Sequence, residues 1–99
     1  MMSKILYFIT LEDDKGIKLA LEDKENEVSI LLLQNAVYFA QKHRGELIGS
    51  ALEQKHKVLA IKEDVVLRGI KDMLHDGVVL VEHSDVADIA FEHKTIINM

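Results

Sequence analysis

The side chains able to do chemistry in this sequence are imidazoles, hydroxyls and carboxylates; cysteine is absent. That absence removes disulfides, thiolate metal sites, iron–sulfur clusters and any sulfur-carrying nucleophile on this chain. The five histidines are His43, His56, His75, His83 and His93. None stands in the HxH, HxxxH or HExxH spacing that brings two imidazoles onto one ion. The local groupings on offer are His83 with Asp85, and Asp88 with Glu92 and His93. Solvated loops and helix faces account better for the set, so no metal is expected. The hydroxyls are Ser3, Ser29, Ser50, Ser84, Thr10 and Thr95, and none occupies a GxSxG elbow. Ser29 falls inside an apolar run, and Ser84 suits a helix cap. The first apolar run passes into TLEDDKG, Thr10–Gly16, with neither GxGxxG nor a P-loop. Its carboxylates would repel a phosphate. No enzyme signature emerges, and no cofactor is implied.

Other polar and aromatic positions fit a binding surface better. Asp64 and Arg68 are spaced i, i+4 on a short helical stretch. One reading is an exposed helical ion pair worth about 0.2–0.5 kcal/mol; the other is a charged element of a shared interface. Gln34 and Asn35 interrupt the long apolar stretch VSILLLQNAVYFA, Val28–Ala40. Asn35 is placed to cap a following helix through its side-chain oxygen. Two amides at the carboxyl end of a central strand stand where ligands and partners collect in open α/β sheets. Tyr38 and Phe39 follow at once beside the small Ala36 and Ala40. Adjacent aromatics do not share one helix face, so one is expected on the sheet and the other at a subunit contact.

The elements that position these residues follow from hydrophobic pattern. Lys4–Ile9 and Val28–Leu33 read as strands, the second a continuous run suited to burial on both faces. Between them Ile17, Ala20 and Leu21 mark a short helix over Ile17–Lys24. The helix beginning near Asn35 breaks at His43-Arg44-Gly45, and a second piece covers Glu46–Glu53. Gly45 and Gly49 each weaken a continuous helix by about 1 kcal/mol relative to Ala, which favours two helices over one. Val58–Ile61 is a third strand, Glu63–Arg68 a helix with Gly69 as its left-handed cap, and Asp76-Gly77 a turn. Val78–Val81 is a fourth strand. Ser84 caps a helix over Asp85–Glu92 with Val86, Ile89 and Ala90 inward, and Thr95–Met99 closes the sheet as an edge strand. Alternating strands and helices predict one domain over residues 1–99, a three-layer α/β/α fold around a mostly parallel five-stranded sheet.

Composition narrows the class further. The 99 residues carry a net charge of -5, with 48% hydrophobic and 29% charged content, the balance of a soluble globular domain. No basic stripe is present, so direct nucleic-acid binding is not expected. No apolar run approaches the roughly 20 residues of a membrane span. The start, Met1-Met2-Ser3-Lys4, runs directly into an apolar stretch too short for a secretory signal, which makes cytoplasmic location the expectation.

Three segments carry a resemblance: LLLQNAVYFA, VLAIKEDVVLRGI and VVLVEHSDVADIAFEH. Leu33-Gln34-Asn35 with Ala36, Val58-Leu59-Ala60-Ile61 with Asp64, and Leu67-Arg68-Gly69 resemble, in order and spacing, the DsrH/TusB family of sulfur-relay proteins. The resemblance implies a DsrE/F/H-like fold and a small cytoplasmic subunit. It also implies assembly with DsrE/TusD-like and DsrF/TusC-like chains into a heterohexamer. In the TusBCD branch that complex passes persulfide sulfur toward 2-thiolation of the tRNA wobble uridine; in the Dsr branch a related complex serves dissimilatory sulfur oxidation. Some DsrH proteins carry a cysteine near the loop that is Thr10–Gly16 here, and this chain has none. The implied role is therefore a non-catalytic subunit presenting Gln34, Asn35, Tyr38, Phe39, Asp64 and Arg68 to its partners. A self-assembling DsrH-like protein with a small-ligand cleft at the same sheet edge is the other reading. The resemblance further places the last strand beside the first.

Overall fold

The computed structural model describes residues 3–99; Met1 and Met2, which lead into the first strand, lie outside the described residues. The chain runs β1 (Lys4–Ile9), α1 (Lys15–Glu22), β2 (Glu27–Leu32), a 3-10 segment (Gln34–Ala40), α2 (Glu46–Glu53) and β3 (Lys57–Ile61). It continues through α3 (Lys62–Leu67), a 3-10 turn (Lys71–Met73), β4 (Val79–Val81), a 3-10 turn (His83–Asp85), α4 (Val86–Phe91) and β5 (Thr95–Asn98). The strand order is β4-β3-β2-β1-β5. Every pairing is parallel, so the sheet is wholly rather than mostly parallel, and the last strand does lie beside the first.

This order decides where the helices go. The crossovers from β1 to β2, β2 to β3 and β3 to β4 all step in one direction, so right-handed connections stack them on one face. The crossover from β4 to β5 must travel back across the sheet and therefore lies on the other face. Side chains alternate accordingly. Ile5, Tyr7, Ile9, Val28, Ile30, Leu32, Val58 and Ala60 pack with Ile17 and Ala20 of α1, Val37 of the 3-10 segment and Ile48 and Ala51 of α2. Leu6, Leu31, Leu33, Leu59 and Ile61 face the opposite way, against Val86 and Ile89 of α4. The continuous apolar run in β2 thus reflects burial on both sides. Each fully buried Leu or Ile contributes roughly 1.5–3 kcal/mol.

Local differences from the sequence reading have identifiable causes. Ser84 does not cap α4: it is exposed inside a 3-10 turn that precedes the helix. Glu82 and Asp85 cap that turn reciprocally, the Asp85 Oδ2 accepting from the Glu82 N–H at 2.9 Å, and α4 itself has no side-chain cap. Val86, Ile89 and Ala90 are only half-buried, because a six-residue helix covers the second face alone. The stop after α3 is as expected: Gly69 adopts φ +68°, which a residue without Cβ reaches without strain.

At the amino edge, Tyr7 and Asp23 tie β1 to the α1–β2 connection. The Tyr7 hydroxyl donates to Asp23 Oδ2 at 3.4 Å, and Asn26 donates to the same carboxylate from its backbone and its side chain. Burial pushes the Tyr7 phenol above its ordinary value, and the neighbouring Asp23 charge adds to the shift. For Asp23, partial burial acts upward, but hydrogen bonds from Asn26, Glu25 and Tyr7 outweigh it and hold the carboxyl below the usual range. The depressed carboxyl contributes stability above its unfolded value of 3.8 that is lost as pH falls through the folded one. The raised phenol contributes stability below 10.0 that is lost as pH rises through its folded value. Asp23→Ala is expected to flatten the acid limb of a stability–pH curve measured by urea unfolding, and Tyr7→Phe the alkaline limb.

Candidate functional site

The carboxyl ends of β2, β3 and β4 feed three connections into one region. At β3 and β4 these connections leave for opposite faces of the sheet, which opens the crevice where α/β sheets hold ligands and partners. Gln34, Asn35, Tyr38 and Phe39 come from the segment after β2, Glu63, Asp64 and Arg68 from α3, and His83 from the turn after β4.

Asp64 is the centre of this region. It is only 9% exposed, and its Oδ2 accepts the Gln34 backbone N–H at 2.8 Å. Gln34 needs that anchor, since its φ is +52°, a left-handed conformation disfavoured for any residue with a Cβ. Arg68 closes the arrangement. Its Nη1 donates to the Asp64 carbonyl at 3.1 Å and lies 3.6 Å from Asp64 Oδ1. Its Nε and Nη2 donate to Asn35 Oδ1 at 3.0 and 2.9 Å. The i, i+4 pair is therefore not an exposed helical ion pair; it is sheltered and bonded to the neighbouring loop. Asn35 is not a helix cap either. It lies inside the 3-10 segment, after the extended Leu33, and its side chain receives Arg68 instead of backbone N–H groups. The abrupt left-handed turn at Gln34 displaces the amide from the cap position.

Two guanidinium groups lie over the Tyr38 ring, Arg44 at 5.6 Å and Arg68 at 5.9 Å from its centre, in the range of cation–π attraction. Arg44 also pairs with Glu12 at 2.9 Å, linking the loop after β1 to the same region. Tyr38 and Phe39 are not divided between core and surface within this chain. Both are half-buried against the main core, because the 3-10 segment meets the core at its margin. Phe39 instead lines a separate hollow with Glu12, Asp13, Asp14, Lys15 and Arg44. The structure thus gathers Gln34, Asn35, Tyr38, Asp64 and Arg68, with Phe39 to one side.

Sequence reasoning missed Arg44, Glu63 and His83 here. The His83 N–H donates to the Glu63 carboxylate at 3.2 and 3.3 Å, and its Nε2 lies 3.8 Å from Asp64 Oδ2. The available signal was position: Glu63 and His83 each lie two residues beyond a strand that the pattern identifies. Arg44 had no such signal. The remaining histidines are not all solvated. His56 is buried with its Nε2 3.0 Å from the Ala20 carbonyl, and His75 Nε2 is 2.8 Å from the Gly45 carbonyl. Among the described residues no group of three His, Asp or Glu side chains converges on a point. Nor is any helix there long and apolar enough to cross a membrane.

A wholly parallel α/β domain with a polar, hydrogen-bonded cluster at its carboxyl edge defines the class. The family model of DsrH-like proteins matches residues 11–96, and the chain belongs to that family of sulfur-relay-type proteins. Among solved structures, the ychN protein from E. coli superposes with a TM-score of 0.87 at 16% identity, over 99% of this chain and 100% of that one. A conserved protein of unknown function from Bacteroides thetaiotaomicron gives 0.83 at 14% identity, covering 98% and 95% of the two chains. A protein of unknown function from Methanobacterium thermoautotrophicum gives 0.78 at 15%, covering 98% and 99%. At these identities the likeness is one of fold. No curated protein matches the chain.

Removing the central carboxylate leaves the Gln34 N–H without its acceptor and Arg68 without its countercharge. Asp64→Ala is expected to lose about 2–4 kcal/mol in urea unfolding. Gln34→Gly relieves the left-handed strain and should be neutral or stabilising by up to about 1 kcal/mol, whereas Gln34→Val should cost about 1 kcal/mol or more.

Proposed function

We propose that this chain is a non-catalytic subunit of a sulfur-relay complex, supporting persulfide transfer for 2-thiolation of the tRNA wobble uridine. The observation that carries the reading is a DsrH-like family match over residues 11–96 in a chain without cysteine. Persulfide transfer needs a thiolate to attack and hold sulfur, so the transferring thiol belongs to a partner. The partners are cysteine-bearing DsrE/TusD-like and DsrF/TusC-like subunits. The surface offered to them is the carboxyl edge, with Gln34, Asn35, Tyr38, Phe39, Asp64 and Arg68. Support for that choice is its order: Asp64 and Arg68 fix the loop after β2 before any partner arrives, which reduces the entropy lost on association.

Tagged protein recovered gently from its source cells and analysed by native mass spectrometry should carry both partner chains in stoichiometric amounts. Deletion of the gene should lower 2-thiouridine in tRNA digests. Recovery of this chain alone, with thiolation unchanged, overturns the proposal. Charge reversal by Arg68→Glu is expected to reduce partner recovery about tenfold or more, with circular dichroism confirming that the variant is folded.

A further inference from the structure

At the amino end of the sheet, opposite the cluster around Asp64, the C-termini of α1 and α2 meet. His56 joins them, its Nε2 3.0 Å from the Ala20 carbonyl. Beside this junction lies a half-open cleft of about 350 Å³. Buried Val28 and His56 and half-buried Gln54 form its floor, and exposed Lys24, Glu27 and Lys55 its rim. Three of its features do nothing for the fold. The Gln54 Oε1 is shut off from solvent without a hydrogen-bond partner among the described residues, a costly state for an amide oxygen. Lys55 stands where glycine is usual. α2 ends in a Schellman turn, with the His56 N–H on the Ala51 carbonyl and the Lys55 N–H on the Leu52 carbonyl, both at 3.0 Å. That turn holds Lys55 at φ +70°, strained for any residue with a Cβ. Finally, Lys24, Glu27 and Lys55 take part in none of the ion pairs among the described residues.

We propose that this cleft binds the zwitterionic head of a free α-amino acid. A carbonyl only accepts, so His56 Nε2 carries its proton toward Ala20 and Nδ1 is left as the acceptor of the neutral ring. The floor thus offers acceptors at the negative ends of two helix dipoles, a setting that favours an ammonium. A short swing of the Gln54 side chain brings its oxygen to that donor and ends its isolation. On the rim, Lys24 and Lys55 attract the carboxylate. Ligands of one sign fit less well. A plain anion meets Glu27, Asp23 and both helix C-termini; a plain cation meets two lysines. Asp23 itself is committed to Tyr7, Glu25 and Asn26, so it closes the wall without competing for the ligand. The volume is at the small end for a ligand pocket, which suits an amino acid better than a nucleotide or a peptide. This site is separate from the carboxyl edge and does not rest on the relay reading.

Amide NMR spectra of the purified, isotope-labelled chain, titrated with the common α-amino acids, should show saturable shifts around residues 23–28 and 54–57 for at least one of them. The amine that lacks its carboxylate and the acid that lacks its ammonium should each bind about tenfold more weakly or worse. Gln54→Leu removes the isolated oxygen and Lys55→Gly relieves the left-handed strain. Each should raise the melting temperature of the free protein while weakening binding about tenfold. Opposite signs on stability and binding are what a purely structural role does not produce. No saturable shift with any amino acid at millimolar concentration overturns the proposal, as do shifts centred elsewhere. So does an amine or acid that binds as tightly as its parent, or an affinity unchanged by both substitutions. Weakening that merely tracks a lowered melting temperature overturns it as well.

Discussion

Three central parallel strands with apolar side chains on both faces must be covered twice, and that requirement shapes the whole molecule. The chain meets it unevenly. Three successive right-handed crossovers pile α1, the 3-10 segment, α2 and α3 along one side, where the larger core forms. The single returning crossover leaves α4, six residues long, to shelter Leu6, Leu31 and Leu59 on the other. Moving β5 to the far side of β1 satisfies the last open edge of that strand. The same move makes the connections after β3 and β4 diverge.

That divergence is where packing turns into a surface with chemical character. Asp64 lies low enough to lose most of its water and is compensated by a backbone N–H and a guanidinium. Burying a carboxylate is tolerable only with such partners. In return it holds Gln34 in a conformation that a side chain disfavours and, through Arg68, fixes Asn35 and one side of Tyr38. The edge is therefore preorganised by polar bonds laid over an apolar floor. Immediately outside the cluster, α3 turns Val66 and Leu67 to solvent.

Much of this was legible beforehand. The strands, the two-piece helix interrupted at Gly45, the left-handed cap at Gly69 and the place of the last strand all follow from local pattern and family likeness. The carboxyl-edge location of Gln34 and Asn35 was legible too. What escaped was pairing across distance. Nothing in the spacing joins Asn35 to Arg68, Arg44 to Tyr38, or His83 to Glu63 and Asp64. Cap assignments for Asn35 and Ser84 failed because a 3-10 turn begins each segment, and hydrogen-bond competition at a helix start is decided by the neighbouring chain.

The sequence by itself determined the element order, the burial of β2 on both faces and the exclusion of thiol chemistry, because periodicity and residue type are local properties. Only the tertiary structure decided that the sheet is parallel throughout, that the Asp64–Arg68 pair is sheltered, and which residues share the crevice. Those depend on strand order, and strand order is set by how crossovers pack on the two faces. No window of sequence contains that information.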